Sequence, residues 1–274
     1  MTTADRTACI TLDLENNWGF ESANLKYLVL EHLDEYIELI QSLDVPVSVF
    51  VVGEFLEERA DVVHRLDAEL DIEFHLHSYS HDMNGQADVE EEVRKGVAAF
   101  EDALGGTPRG YRAPRFVVDD DDLATLSAAG FEFDSSICPS YRPGVYNNLD
   151  KPTTPFVPDA APGLLEVPVS VHPRLRIPLS QSYLRLFRGP YLSLLRHTSL
   201  PEPLVFDSHL HDFYRTRAHD ALDGTRRFLF SHNIDNSVDL FRAFVDSLER
   251  RNYRFEKIGT VVDRIVRGRQ GCEP

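Results

Sequence analysis

Lysine is nearly missing from this chain. Only Lys26, Lys95, Lys151 and Lys257 occur in 274 residues, against 45 Asp and Glu, so most of the 28 basic residues are arginine and the net charge is −17. A molecule of that charge, taken as a whole, repels nucleic acid and anionic membrane. It also fits concentrated salt, where a Debye length of about 3 Å screens the self-repulsion, so salt adaptation is expected. Cysteine is scarce too: Cys9, Cys138 and Cys272 form no CxxC pair, which excludes a disulfide framework and a zinc knuckle. No apolar run is long enough to span a bilayer, and the short polar start lacks the character of a signal peptide. A cytoplasmic protein without a membrane span is the expectation, with no nucleic-acid partner and homo-oligomerisation left open. The remaining composition, 42% hydrophobic and 27% charged, is that of a globular chain able to bury a substantial core.

A rhythm of strand, loop and helix recurs at intervals of about 30 residues, the pattern of βα units around parallel strands. Strands are predicted at 7–13, 45–52, 71–75, 107–112, 131–136, 203–209 and 253–259. Helices are predicted at 25–43, 54–70, 89–104 and 237–251, with a further one opened by Asp119 to Asp122 and closed by Gly130. Between 139 and 190 ten prolines interrupt the rhythm. That stretch reads as an irregular insertion over the mouth of the fold, with one strand at 164–171, inside a single domain spanning 1–274.

Polar clusters follow the strands, where βα architectures assemble their sites. The densest runs from Glu73 to Asp82 and holds His75, His77 and His81. Imidazoles four apart on a helical turn or a tight turn can share a metal ion. Asp13 and Glu15 stand two apart on a strand, so both can face one pocket. The other clusters are Tyr111 to Phe116, Phe133 to Ser136, and His209 to Phe213.

In this order and spacing the five clusters resemble the five motifs of the polysaccharide deacetylase family (carbohydrate esterase family 4), in a branch with an Asp-x-Glu first motif. The resemblance covers about 7–262. It implies an α/β fold, an irregular (β/α)7-type barrel, and a metal-dependent hydrolase that removes N- or O-acetyl groups from an acetylated sugar or polysaccharide precursor. A divalent cofactor is implied, zinc first, with cobalt, manganese or nickel as alternatives. Carried over residue by residue, Asp13 is the general base, and Glu15, His77 and His81 are the metal ligands. Arg112 holds the base ionised, and Asp134 orients a catalytic side chain. The family's commonest first motif has two adjacent aspartates, so Glu15 as ligand is a departure. Two histidines compete for the general acid: His209 is preferred because it stands where the apolar strand ends, leaving His211 as a substrate contact. Trp18, Tyr79 and Phe116 are candidates to stack on a sugar ring, while His75, His172 and His232 read as structural or rim residues. Two other functions remain open: amide or ring hydrolysis of a small metabolite, as in allantoinase-like cousins, and a carbohydrate-binding relative without catalysis.

Overall fold

The computed structural model describes residues 6–16, 25–83 and 87–270. Its strands are β1 (Arg6–Leu14), β2 (Val47–Val51), β3 (Ile72–Leu76), β4 (Gly110–Tyr111), β5 (Phe133–Asp134), a hairpin β6 (Tyr141–Arg142) and β7 (Tyr146–Asn147), β8 (Leu165–Glu166), β9 (Leu204–Phe206) and β10 (Tyr253–Phe255). The helices are α1 (Leu33–Leu43), α2 (Gly53–Glu69), α3 (Val89–Leu104), α4 (Asp120–Ala128), α5 (Gln181–Arg196), α6 (Arg217–Ala221), α7 (Gly224–Ser231), α8 (Ser237–Glu249) and α9 (Ile258–Gln270). β1, β2, β3, β4, β5 and β8 run parallel in that order, and β9 returns to pair with β1. The chain leaving β8 reaches β9 through the Ser170 N–H, which donates to the Val205 carbonyl at 3.0 Å. Seven strands thus curl into the expected irregular (β/α)7 barrel, and β10 adds to the start of β1.

Alternation along β1 sorts the two sides of the wall. Ala8, Ile10, Leu12 and Leu14 join the main core, together with the apolar faces of α1, α2, α5 and α8. Cys9 falls in a second cluster with Phe50, Phe133, Val205 and, from α9, Ile258, Val261 and Val262. Above that plug, His75 packs between Phe50 (centroids 5.2 Å) and Phe133 (4.8 Å). The Phe133 ring can cross there because Gly110 has no side chain; a Cβ would lie 2.1 Å from the ring. Arg112 lies over Phe50, 3.9 Å from its centroid. The lumen is therefore filled up to Arg112, and polar groups collect above it.

Several predicted boundaries hold within one or two residues, and α3 matches at both ends, with Gly105 in the left-handed conformation at its C-cap. The stretch 139–190 differs from expectation. The strand expected at 164–171 is present in shorter form as β8, but from Gln181 the stretch is helical, with Leu184, Tyr191, Leu192 and Leu195 in the main core. Pro190 is tolerated because the helix breaks at Arg188 (φ 56°), so the proline sits in the first turn of the renewed helix, where its missing N–H costs nothing. After β10 the predicted strand stops at Phe255 and α9 follows. α6 and α7 are further helices that the hydrophobic periodicity does not announce.

Candidate active site

At the C-terminal ends of β1, β3 and β9 the chain opens into a pocket of about 270 Å³. Asp13, Glu15, His77, His81, His209 and His211 all line it, as does Phe116. The histidine loop is not a helical turn, as the spacing allowed. Ser78 (φ 58°) and His81 (φ 54°) both adopt the left-handed conformation, and this brings the two rings to 5.0 Å. A buried carboxylate from α3 pins the loop. Glu92 Oε2 accepts from Ser78 Oγ (2.9 Å) and from the backbone N–H groups of Tyr79 (3.0 Å) and Ser80 (2.8 Å), while Oε1 accepts from Ser80 Oγ (2.8 Å). No motif marks Glu92; it is one acid of an ordinary helical run.

His77 donates from Nδ1 to the Arg112 carbonyl at 2.7 Å when that nitrogen carries the proton, which leaves the Nε2 lone pair facing the pocket. Nε2 lies 3.8 Å from Glu15 Oε2, and His81 Nε2 lies 2.5 Å from the same oxygen. That oxygen is fully buried, and the His81 contact lacks hydrogen-bond geometry. Burial pushes the Glu15 carboxyl up, but the His81 imidazole more than offsets this and holds it well below the usual carboxylate range. Burial also lowers His77 to about 4, so its ring is a neutral donor. A carboxylate oxygen and two neutral-capable imidazole nitrogens within 4.8 Å of one another fit a divalent ion.

Arg112, fully buried, spends its guanidinium on the base side of the pocket. Nη1 donates to Asp13 Oδ1 at 2.6 Å, to Thr11 Oγ1 at 2.9 Å and to Asp207 Oδ1 at 3.4 Å; Nη2 and Nε donate to the Ser135 hydroxyl and carbonyl. Asp13 Oδ2 is left toward the cavity, 3.6 Å from His77 Nε2 and 3.9 Å from His209 Nε2. Asp207 is an unforeseen neighbour. Burial, and then the Asp13 charge, push it up to about 7.

The two competing histidines lie side by side, stacked at 4.8 Å, and both reach the pocket. Their environments differ. Burial depresses His209, but Asp207 and the Asp212 carboxylate, 3.2 Å from Nδ1, raise it well above the ordinary value. For His211 burial and the neighbouring His209 charge act together and bring it down to about 3. Asp212 is in turn held by Arg185 Nη2 (3.3 Å) and Ser182 Oγ (2.7 Å).

Asp134 is not brought to this site. It is completely buried behind the wall, accepts from Ser136 Oγ at 2.5 Å and faces the Glu166 carboxyl. On an alternating strand it takes the outer face, whereas Ser135 takes the inner one; the side chain that engages an imidazole is Asp212. Tyr79 also turns away: its hydroxyl donates to Glu57 at 3.1 Å and its ring lies beside Lys95. Trp18 lies outside the described residues. Phe116 (φ 60°) remains at the pocket wall, joined by Tyr146, Tyr183 and Phe230 and by the guanidinium groups of Arg115 and Arg142. No periodicity or motif singled out Arg142, Tyr146, Tyr183 or Phe230, because the hairpin, α5 and α7 bring them together from distant parts of the chain.

Carboxylates and imidazoles thus gather at the strand ends of a parallel α/β barrel. Residues 5–133 match the model of the polysaccharide deacetylase family, so the family likeness read from the motifs stands. No curated protein matches the chain. Among solved structures, a candidate polysaccharide deacetylase from Mycobacterium smegmatis is 15% identical with a TM-score of 0.67, over 98% of this chain and 93% of that one. A family 4 carbohydrate esterase from Streptomyces lividans in complex with acetate is 14% identical, TM-score 0.52, over 93% of each chain. A family 4 pseudoenzyme from Bacillus anthracis is 11% identical, TM-score 0.55, over 94% of this chain and 66% of that one. The fold is thus that of carbohydrate esterase family 4.

Proposed function

We propose that this chain is a metal-dependent hydrolase that removes acetyl groups from an acetylated sugar or glycan precursor. One observation carries the reading: the Glu15, His77 and His81 donor set shares a pocket with the Asp13–Arg112 pair and the His209–Asp212 pair. When bound, a divalent ion, zinc first among the alternatives, supplies a lowered pKa for water and polarisation of the acetyl carbonyl. Asp13, held by the Arg112 guanidinium 2.6 Å away, takes the proton of the attacking water. His209, protonated and oriented by Asp212, gives a proton to the leaving nitrogen or oxygen. Phe116 and His211 contact the substrate. A second reading, amide hydrolysis of a small metabolite, draws support from the Asp13-Leu14-Glu15 departure.

The test joins metal analysis to product release. Purified protein should hold about one divalent ion per chain and free acetate from at least one member of a panel of free, nucleotide-linked and lipid-linked acetylated amino sugars. His77→Ala or His81→Ala should abolish tight metal binding. Metal without acetate from any member would favour the small-metabolite reading; neither metal nor acetate would favour a non-catalytic relative.

A further inference from the structure

Helix α7 has no buried residue, yet it is held in place. Arg185, buried in α5, donates from Nη1 to the carbonyls of Leu229 (3.2 Å), Phe230 (2.9 Å) and His232 (2.9 Å). The C-terminal end of α7 is thereby anchored beside α5 while its outer face is uncovered. That face presents Phe228 at 58% and Leu229 at 41% exposure, and α5 adds Phe187 at 44% just where the chain kinks. Large exposed apolar side chains on two elements that one buried arginine ties together are a candidate docking surface. Here they border the pocket, since Leu186 of α5 and Leu229 of α7 line it.

The charge of this region is opposite to that of the whole. Residues 172–232 carry nine arginines against five carboxylates, in a chain of net charge −17. Two of those five, Asp207 and Asp212, are buried, as is one of the nine arginines, Arg185, which leaves eight arginines against three carboxylates. Arg188 follows Phe187, and Arg226 and Arg227 precede Phe228; all three are exposed. Arginines flanking exposed aromatic and aliphatic side chains on a short helix form the pattern of an interfacial element, whose apolar tips enter the acyl boundary while its cations meet lipid phosphates.

We propose that α7 and the kink of α5 dock this protein on an anionic lipid bilayer, with the pocket opening toward the surface, where a lipid-carried substrate would present its head group. Net charge argues against such docking for the molecule as a whole; the distribution of that charge favours it for this edge. The proposal concerns binding and stands whether or not acetate is the product.

Vesicle flotation tests it, with the full chain and vesicles of phosphatidylcholine alone or mixed with phosphatidylglycerol. The protein should float with the mixed vesicles and not with phosphatidylcholine alone. Phe187→Ser with Phe228→Ser, and separately Arg188→Glu with Arg226→Glu, should each weaken that binding by about tenfold or more. All four positions are exposed, so melting temperatures should match the parent, and turnover of a water-soluble acetylated sugar should be unchanged. Failure to float, or equal flotation of parent and variants, would overturn the proposal. So would self-association lost in the same variants without vesicle binding, which would make the face a contact between copies.

Discussion

His209 and His211 stack on one another, yet their surroundings push their protonation in opposite directions. A residue that must deliver a proton has to hold one at neutral pH, and only the ring flanked by Asp207 and Asp212 does. His209→Ala should lower turnover by about 10²–10⁴ with metal content retained, and His211→Ala by less than about tenfold. Steady-state rates on both variants, with metal analysis beside them, check this; the reverse ranking would move the acid role to His211. The Asp134–Glu166 pair has a different consequence. Burial raises both carboxyls, and the Asp134 charge adds to it for Glu166. A raised folded value means that the protonated pair stabilises the fold fully below the unfolded value of about 4, and that this contribution is lost as pH climbs through the folded value. Glu166→Gln stays neutral throughout, so its melting temperature should fall less than the parent's as pH climbs from about 4 through the raised folded value. Parallel pH profiles would refute this.

At the scale of elements, the histidine loop shows how a site is held by something outside its motif. Two left-handed residues and four hydrogen bonds to Glu92 set the directions of His77 and His81. Glu92→Gln keeps the volume but gives up the charge that two backbone N–H groups share. Metal affinity should drop by about 10–100-fold, as when an outer-shell partner is lost, with the barrel intact. Competition against a chelating dye measures it, and an unchanged affinity would remove Glu92 from the site. The same scale explains the missed helix: ten prolines between 139 and 190 read as irregular chain, but Pro190 follows a backbone break at Arg188 and so starts a helical segment instead of ending one. The capped helices were legible. Asp119 accepts from the N–H groups of Asp121 and Asp122 in a capping box, and Gly105 ends α3.

For the molecule as a whole, a charge of −17 with four lysines leads us to expect that stability depends on screening. Melting temperature and activity should both increase from low salt toward molar potassium or sodium chloride, since like charges repel less as the Debye length shrinks to about 3 Å. A flat or falling melting curve over that range would reject salt adaptation. No helix among the described residues is long and apolar enough to cross a membrane.

Periodicity along the chain pointed to the parallel βα class and to most of its strands, and spacing to Asp13, Glu15, His77 and His81, whereas Arg112 and His209 came from the family likeness. These are local properties: alternation in a strand, a turn of helix, a short motif at a strand's end. The tertiary structure alone decided that Asp134 faces away from the pocket and Asp212 takes up the histidine. It also decided that Glu92 braces the loop and that Asp207 shares Arg112. Most of these depend on contacts between residues far apart in the chain, and a pairing of that kind leaves no periodic signal in either partner; His209 and Asp212 are three apart, but only the turn between them shows that they meet.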